Sequence, residues 1–125
     1  MDLKALDNEL NQMIMEGKNG EAVQKFYADD CITEENYSHK NEGKEAIIKA
    51  HEEWASDVTE VKGATLLSSA VNEADKVSFS EWNFKFVSKK MGDISMHETN
   101  VRRWNDQGQV MHERYYYEPK MKPQE

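Results

Sequence analysis

A single cysteine, Cys31, stands in this chain of 125 residues. One thiol can form neither an internal disulfide nor a thiolate metal cluster, so neither device holds the fold together. Basic charge is also in short supply: 16 Lys and Arg against 24 Asp and Glu give a formal net charge of -8. That field repels phosphate backbones and anionic lipid, which argues against nucleic acid and membranes as partners. The basic residues are scattered, and the pairs Lys89-Lys90 and Arg102-Arg103 are too short to make a basic face. No apolar run approaches the roughly 20 residues that span a bilayer. The N-terminal MDLKALDNEL carries acids where a secretion signal needs a basic and then an apolar stretch. A cytoplasmic protein is expected. Also missing are His-x-His and His-x-x-x-His pairs, a glycine-rich phosphate loop and a serine set before a histidine partner. No metal and no cofactor are expected.

What is present suffices for one domain with one core: the hydrophobic fraction is 38 % and the aromatic fraction 10 %. Leu3, Leu6, Leu10, Met13 and Ile14 recur at helical steps, and Gly17 with Lys18-Asn19-Gly20 stops that helix. Asn19 is placed to cap a second, shorter helix with Ala22, Val23, Phe26 and Tyr27 on its apolar face. CITEENY, 31 to 37, reads as a strand and SHKNEG as a loop. Gly43 precedes a third helix whose face is Ile47, Ala50, His51, Trp54 and Val58. From about residue 64 the period changes, and ATLLSSAV, KVSFSEWNFKFVS, DISMHETNVRRW and QVMHERYYY read as strands separated by NEAD, KKMGD and NDQG turns. Helices followed by a run of antiparallel strands make an α+β domain, here over residues 1–118, with 119–125 as a frayed tail.

Alternation decides which side chains share a face. Trp82, Phe84 and Phe86 lie opposite Glu81, Asn83 and Lys85. Met96, Glu98, Asn100, Arg102 and Trp104 form one side of the next strand, His97, Thr99, Val101 and Arg103 the other. In the last strand Met111, Glu113, Tyr115 and Tyr117 alternate with His112, Arg114 and Tyr116. A four-residue NDQG loop sets Trp104 opposite Gln109 and Asn100 opposite Glu113, whereas a one-residue change brings Arg114 there instead.

EAVQKFYADD before a strand, GKEAI opening a helix and NVRRWNDQGQVMHERYYYEP closing the sheet together resemble the nuclear transport factor 2-like superfamily. Within it the chain is most similar to SnoaL-like proteins and ketosteroid isomerases. The resemblance covers residues 3 to 118. It implies a cone in which a curved, mainly antiparallel sheet wraps the helices and its concave face lines a pocket. The isomerase pattern carries its carboxylate base onto Glu34 and the acid of its oxyanion hole onto Asn100. Its first-helix tyrosine falls near Leu10 or Asn11, where no phenol stands. The SnoaL-like cyclase pattern carries its histidine onto Glu113 and its aspartate onto Tyr115. The resemblance also implies pairing of two copies through the outer sheet face, with Trp104, Tyr116, His97, Val101 and His112 as a partly apolar surface.

Candidate catalytic residues are therefore Glu34, Asn100, Glu113 and Tyr115. A carboxylate beside Trp82, Phe84 and Tyr115 is desolvated and raised above about 4.3, where it can remove a proton next to a carbonyl. Candidate ligand contacts are Trp54, Trp82, Phe84, Met96, Glu98, Arg102 and Tyr117. Glu98, Arg102 and Glu113 resemble the acid–arginine–acid set of the superfamily's epoxide hydrolases; such a set is also a common structural ion pair. The expected function is binding of a small, largely apolar molecule, with acid/base isomerase or lyase chemistry on a carbonyl compound. A non-catalytic binding or association domain is the alternative.

Overall fold

The computed structural model describes residues 1–118, so the tail expected over 119–125 lies outside the described residues. Helix α1 (Leu3–Met15) is capped by Asp2, whose side chain accepts from the Ala5 amide at 3.1 Å. It buries Leu3 and Leu10 as its stripe requires, but Asp7 and Asn11 lie buried beside them. Helix α2 (Asn19–Phe26) buries Ala22, Val23 and Phe26. Asn19 is its first helical residue rather than its cap; Lys18 takes that place and no side chain closes the end.

Strand β1 (Tyr27–Glu35) starts earlier than expected, so Tyr27 belongs to it and not to the helix. His39–Glu42, read as loop, forms β2 antiparallel to β1. Helix α3 (Lys44–Asp57) follows Gly43, but only Ile47 of its expected face is fully buried; Trp54 is 40 % exposed and Val58 opens the next strand. The remaining strands are β3 (Val58–Asn72), β4 (Val77–Ser88), β5 (Gly92–Trp104) and β6 (Val110–Tyr116). The sheet order is β2-β1-β6-β5-β4-β3, with β1 and β6 parallel and the other neighbours antiparallel. The first and last strands thus lie side by side within the sheet.

The β5–β6 hairpin is tighter than expected. The Asn105 amide donates to the Gln109 carbonyl at 2.8 Å, and Trp104 pairs with Val110. Gly108 turns the chain at a φ of 74°, and a Cβ there would lie 3.3 Å from Leu6 Cδ1. Arg103 then pairs with His112, which leaves Met111 as a bulge. Further along, Arg102 faces Glu113 and Asn100 faces Tyr115, neither of the expected registers. Asn100 differs by two residues from the pairing with Glu113, and a two-residue slip returns every side chain to its own face.

The core joins Leu3, Leu10, Val23, Phe26, Tyr27, Cys31, Ile47, Trp104 and Val110 between the helices and the sheet. Trp104, expected to contribute to the outer surface, is 1 % exposed and meets Phe26 edge-to-face at 6.3 Å. Full burial of side chains of this size stabilises by about 2–3 kcal/mol each. The outer face instead carries polar pairs: His97 with Glu81 at 2.8 Å, and His112 with Glu34 at 2.6 Å. No helix among the described residues is long and apolar enough to cross a membrane.

Candidate functional site

Arg102 sits at the middle of the inner face, 1 % exposed. Its Nε donates to Glu113 Oε2 at 2.6 Å, while Nη1 donates to Asp7 Oδ1 at 2.9 Å and Asn11 Oδ1 at 2.6 Å. Burial alone would lower its pKa, but Glu113, Tyr27 and Asp7 more than offset that, so the guanidinium is held charged. Glu113 is fully buried and accepts twice more, from the Tyr27 hydroxyl and from the Tyr115 hydroxyl at 2.7 Å. Burial and then the charge of Glu113 push both phenols well above their usual range, so they remain donors. Asp7 accepts from the Ser78 hydroxyl at 2.7 Å, which itself accepts from the Trp104 indole at 2.9 Å. An arginine between two acids is therefore present, but its second acid is Asp7 from α1 rather than Glu98.

Glu98 lies beside this cluster without sharing its cation. It is 8 % exposed, faces Trp82 across the strand pair, and makes no ion pair among the described residues. The Asn100 amide, with its nitrogen turned to Glu98, donates to Oε2 at 3.2 Å. At Glu98 the negative charge of Glu113 outweighs the more weakly felt Arg102, so a further anion there is disfavoured. Burial first, and the charge of Glu113 second, raise the Glu98 carboxyl to about 8. Near neutral pH it holds its proton, within a wall of Trp82 and Phe84 rings stacked 5.3 Å apart.

Of the expected catalytic residues, Asn100, Glu113 and Tyr115 share the inner face, and Glu34 does not. Glu34 points outward, where His112 and the Arg114 guanidinium, the latter at 2.7 Å, hold it. The His112 hydrogen bond is the main cause that lowers its pKa, the reverse of what a proton-abstracting base requires. Glu35, the neighbour, faces inward against Tyr117, whose phenol is raised by burial and by that carboxylate. Among the expected ligand contacts, Trp82, Glu98 and Arg102 are buried, whereas Phe84, Met96 and Tyr117 are partly open. Trp54 stands over Phe86 at 5.2 Å and stacks on His51. Met96 and Tyr117 also line a cleft of about 320 Å³ at the sheet end, with Ser95, His97, Tyr116 and Glu118. Asp7, Asn11, Tyr27 and Ser78 were missed; the signal for the first two was polar residues on an apolar helical stripe. Among the described residues, no three His, Cys, Asp or Glu side chains converge as a metal ion needs.

No protein-family model matches the sequence, and no curated protein does. Solved structures do match. A Mesorhizobium loti protein named for SnoaL-like polyketide cyclases superposes with a TM-score of 0.83 at 24 % identity, over 94 % of this chain and 100 % of its own. This chain has the SnoaL-like, nuclear transport factor 2-like fold. A Bacillus subtilis protein named as an isomerase shares the SnoaL-like fold at a TM-score of 0.79 and 16 % identity, over 95 % of this chain and 91 % of that one. A Catenulispora acidiphila protein with a ketosteroid isomerase-like fold, in complex with trimethylamine, gives 0.72 and 14 %, over 86 % and 81 %. These likenesses support the α+β cone.

Proposed function

We propose that the protein binds a small, largely apolar carbonyl compound against the inner face and moves a proton through Glu98, as an isomerase or lyase. The carrying observation is the burial of Glu98 beside, but outside, a charge network that leaves it without a cation. Protonated, it can donate to a carbonyl oxygen; ionised, it can remove a proton from the adjacent carbon. Asn100 offers an amide next to it, and Tyr115 is fixed by its bond to Glu113. Phe84 and Met96, partly open beside the buried Trp82, supply an apolar surface that keeps competing water away. Arg102 and Glu113 hold this wall in place and do not react in this reading. The similar proteins named for cyclases and an isomerase support it.

The test is a carboxyl NMR titration of Glu98, assigned with Glu98→Gln, paired with hydrogen–deuterium exchange at the carbon next to the carbonyl of a small cyclic ketone. Titration near 8 and exchange that disappears in Glu98→Gln are expected. A Glu98 that titrates at or below about 4.3 rejects the reading. Raised titration without exchange would favour a non-catalytic binding domain, a reading supported by the engagement of Arg102 and Glu113 in structural bonds.

A further inference from the structure

One titratable side chain beside the inner face has no task in the site described above. His51 of α3 stacks on Trp54 at 5.7 Å, and Trp54 stands edge-on over Phe86 at 5.2 Å. Phe86 follows Trp82 and Phe84 along the same side of β4, and Trp82 pairs across to Glu98. Four positions separate Trp82 from Phe86, roughly 13 Å of strand. An aromatic path therefore runs from Glu98 to His51, with a polar group at each end. Its accessible part lies between them: Phe84 and Met96 are partly open, and Trp54 is 40 % exposed. His97 and His112 hold carboxylates, whereas His51 makes no hydrogen bond among the described residues, and its ring nitrogens are not sealed as His112 Nδ1 is. Charged neighbours leave it alone. Glu45, Lys49, Glu52 and Glu53 of its own helix are exposed. Lys44 and Asp57, at the helix ends, are bound to the Gln24 carbonyl at 3.1 Å and the Ser88 hydroxyl at 2.6 Å. Burial lowers the pKa of His51, so near neutral pH the imidazole is uncharged and offers one donor and one acceptor.

We propose that His51 selects the substrate by binding a hydroxyl or second carbonyl at the end of the molecule away from the reacting carbonyl. This rests on the acid/base reading for one point, that the reacting carbonyl lies at Glu98. The middle of the substrate is then a flat apolar ring packed against Phe84 and Met96, with Trp54 beside it. Trp54 fixes the imidazole plane by stacking, so the nitrogens are oriented before the substrate arrives. A compound without the distal group leaves a half-buried imidazole unpaired, and the site discriminates against it on that account. A distal carboxylate would meet no cation at His51 and is disfavoured as well.

Acetophenone and para-hydroxyacetophenone are the probes, titrated near neutral pH against the Trp54 indole N–H signal. The hydroxyl should tighten binding about three- to tenfold, the worth of one neutral hydrogen bond. His51→Phe keeps a ring against Trp54 and removes both nitrogens, so it should bind the two ketones alike. Should that variant not fold, His51→Leu reads the same difference. Glu98→Gln should abolish deuterium exchange at the ketone's methyl group yet keep the preference for the hydroxyl. The two readings therefore fail separately: exchange that survives Glu98→Gln rejects the acid/base reading, whereas the hydroxyl preference decides this one. The proposal is overturned if the native chain binds the two ketones alike, if His51→Phe retains the preference, or if neither ketone moves the Trp54 signal.

Discussion

Glu98 and Glu113 stand on adjacent strands, face the same interior and are almost equally buried, yet their surroundings treat them in opposite ways. Glu113 receives a guanidinium and two phenols; Glu98 receives one amide and the neighbouring negative charge. Burial alone therefore does not make a carboxyl a proton carrier. What matters is where the cation goes, and α1 together with β6 claims it for the other glutamate.

Removing the cation should produce the largest effect. Arg102→Met leaves Asp7 and Glu113 buried without their shared partner, and a loss of about 3–5 kcal/mol in urea denaturation is expected. A loss under about 1 kcal/mol would mean that the tyrosine, serine and asparagine donors suffice by themselves. The comparison between the two glutamates would then fail.

The pH dependence of stability comes next. The folded Glu98 carboxyl titrates near 8 and the unfolded one near 4.3, so between those values the folded state binds the extra proton. Stability from this group is fully present below about pH 4.3, falls as pH rises through the window, and is lost above about pH 8. The span corresponds to at most about 5 kcal/mol. Glu98→Gln should flatten this decline and leave the acid side nearly unchanged, as thermal unfolding across pH 5 to 9 would show. A decline that persists in Glu98→Gln would assign it to another group.

The smallest effect is expected on the outside. Glu34→Gln keeps the side-chain shape and removes a charge held by His112 and Arg114 in partial contact with solvent. Ion pairs that keep contact with solvent contribute little, so denaturation midpoints should move by no more than about 1 kcal/mol in stability. A large shift would show that the outer face carries more of the stability than its exposure suggests.

The fold was legible because periodicity reports which face a side chain occupies, and faces are what a two-layer domain is built from. The partition of Met96, Glu98, Asn100 and Arg102 from His97, Val101 and Arg103 needed nothing beyond alternation. Register was not legible, because it depends on the hairpin's hydrogen bonds and on the bulge at Met111, which leave no mark on the alternation far from the turn. The isomerase pattern puts Glu34 inside, but alternation along β1 sets Ile32 and Glu34 opposite the buried Cys31 and Thr33, so Glu35 faces inward instead. Asp7 and Asn11 stand out as polar residues on an apolar stripe, but what they bind is hidden for another reason. Their partners lie at the far end of the chain, and no local window contains both halves of such a network.

That distance has a kinetic meaning. Asp7 and Arg102 are separated by 95 positions, and Tyr27 and Glu113 by 86. Contacts that close such long loops lose chain entropy before they return any stabilisation. The network is therefore expected to arrive late, after the local helices and the β3–β4–β5 meander have ordered. In a denaturant chevron, Asp7→Asn should steepen the loss on the unfolding side, with faster unfolding and a nearly unchanged folding rate. The charges at the centre of the molecule thus act less as a nucleus than as a latch that the two ends of the chain close last.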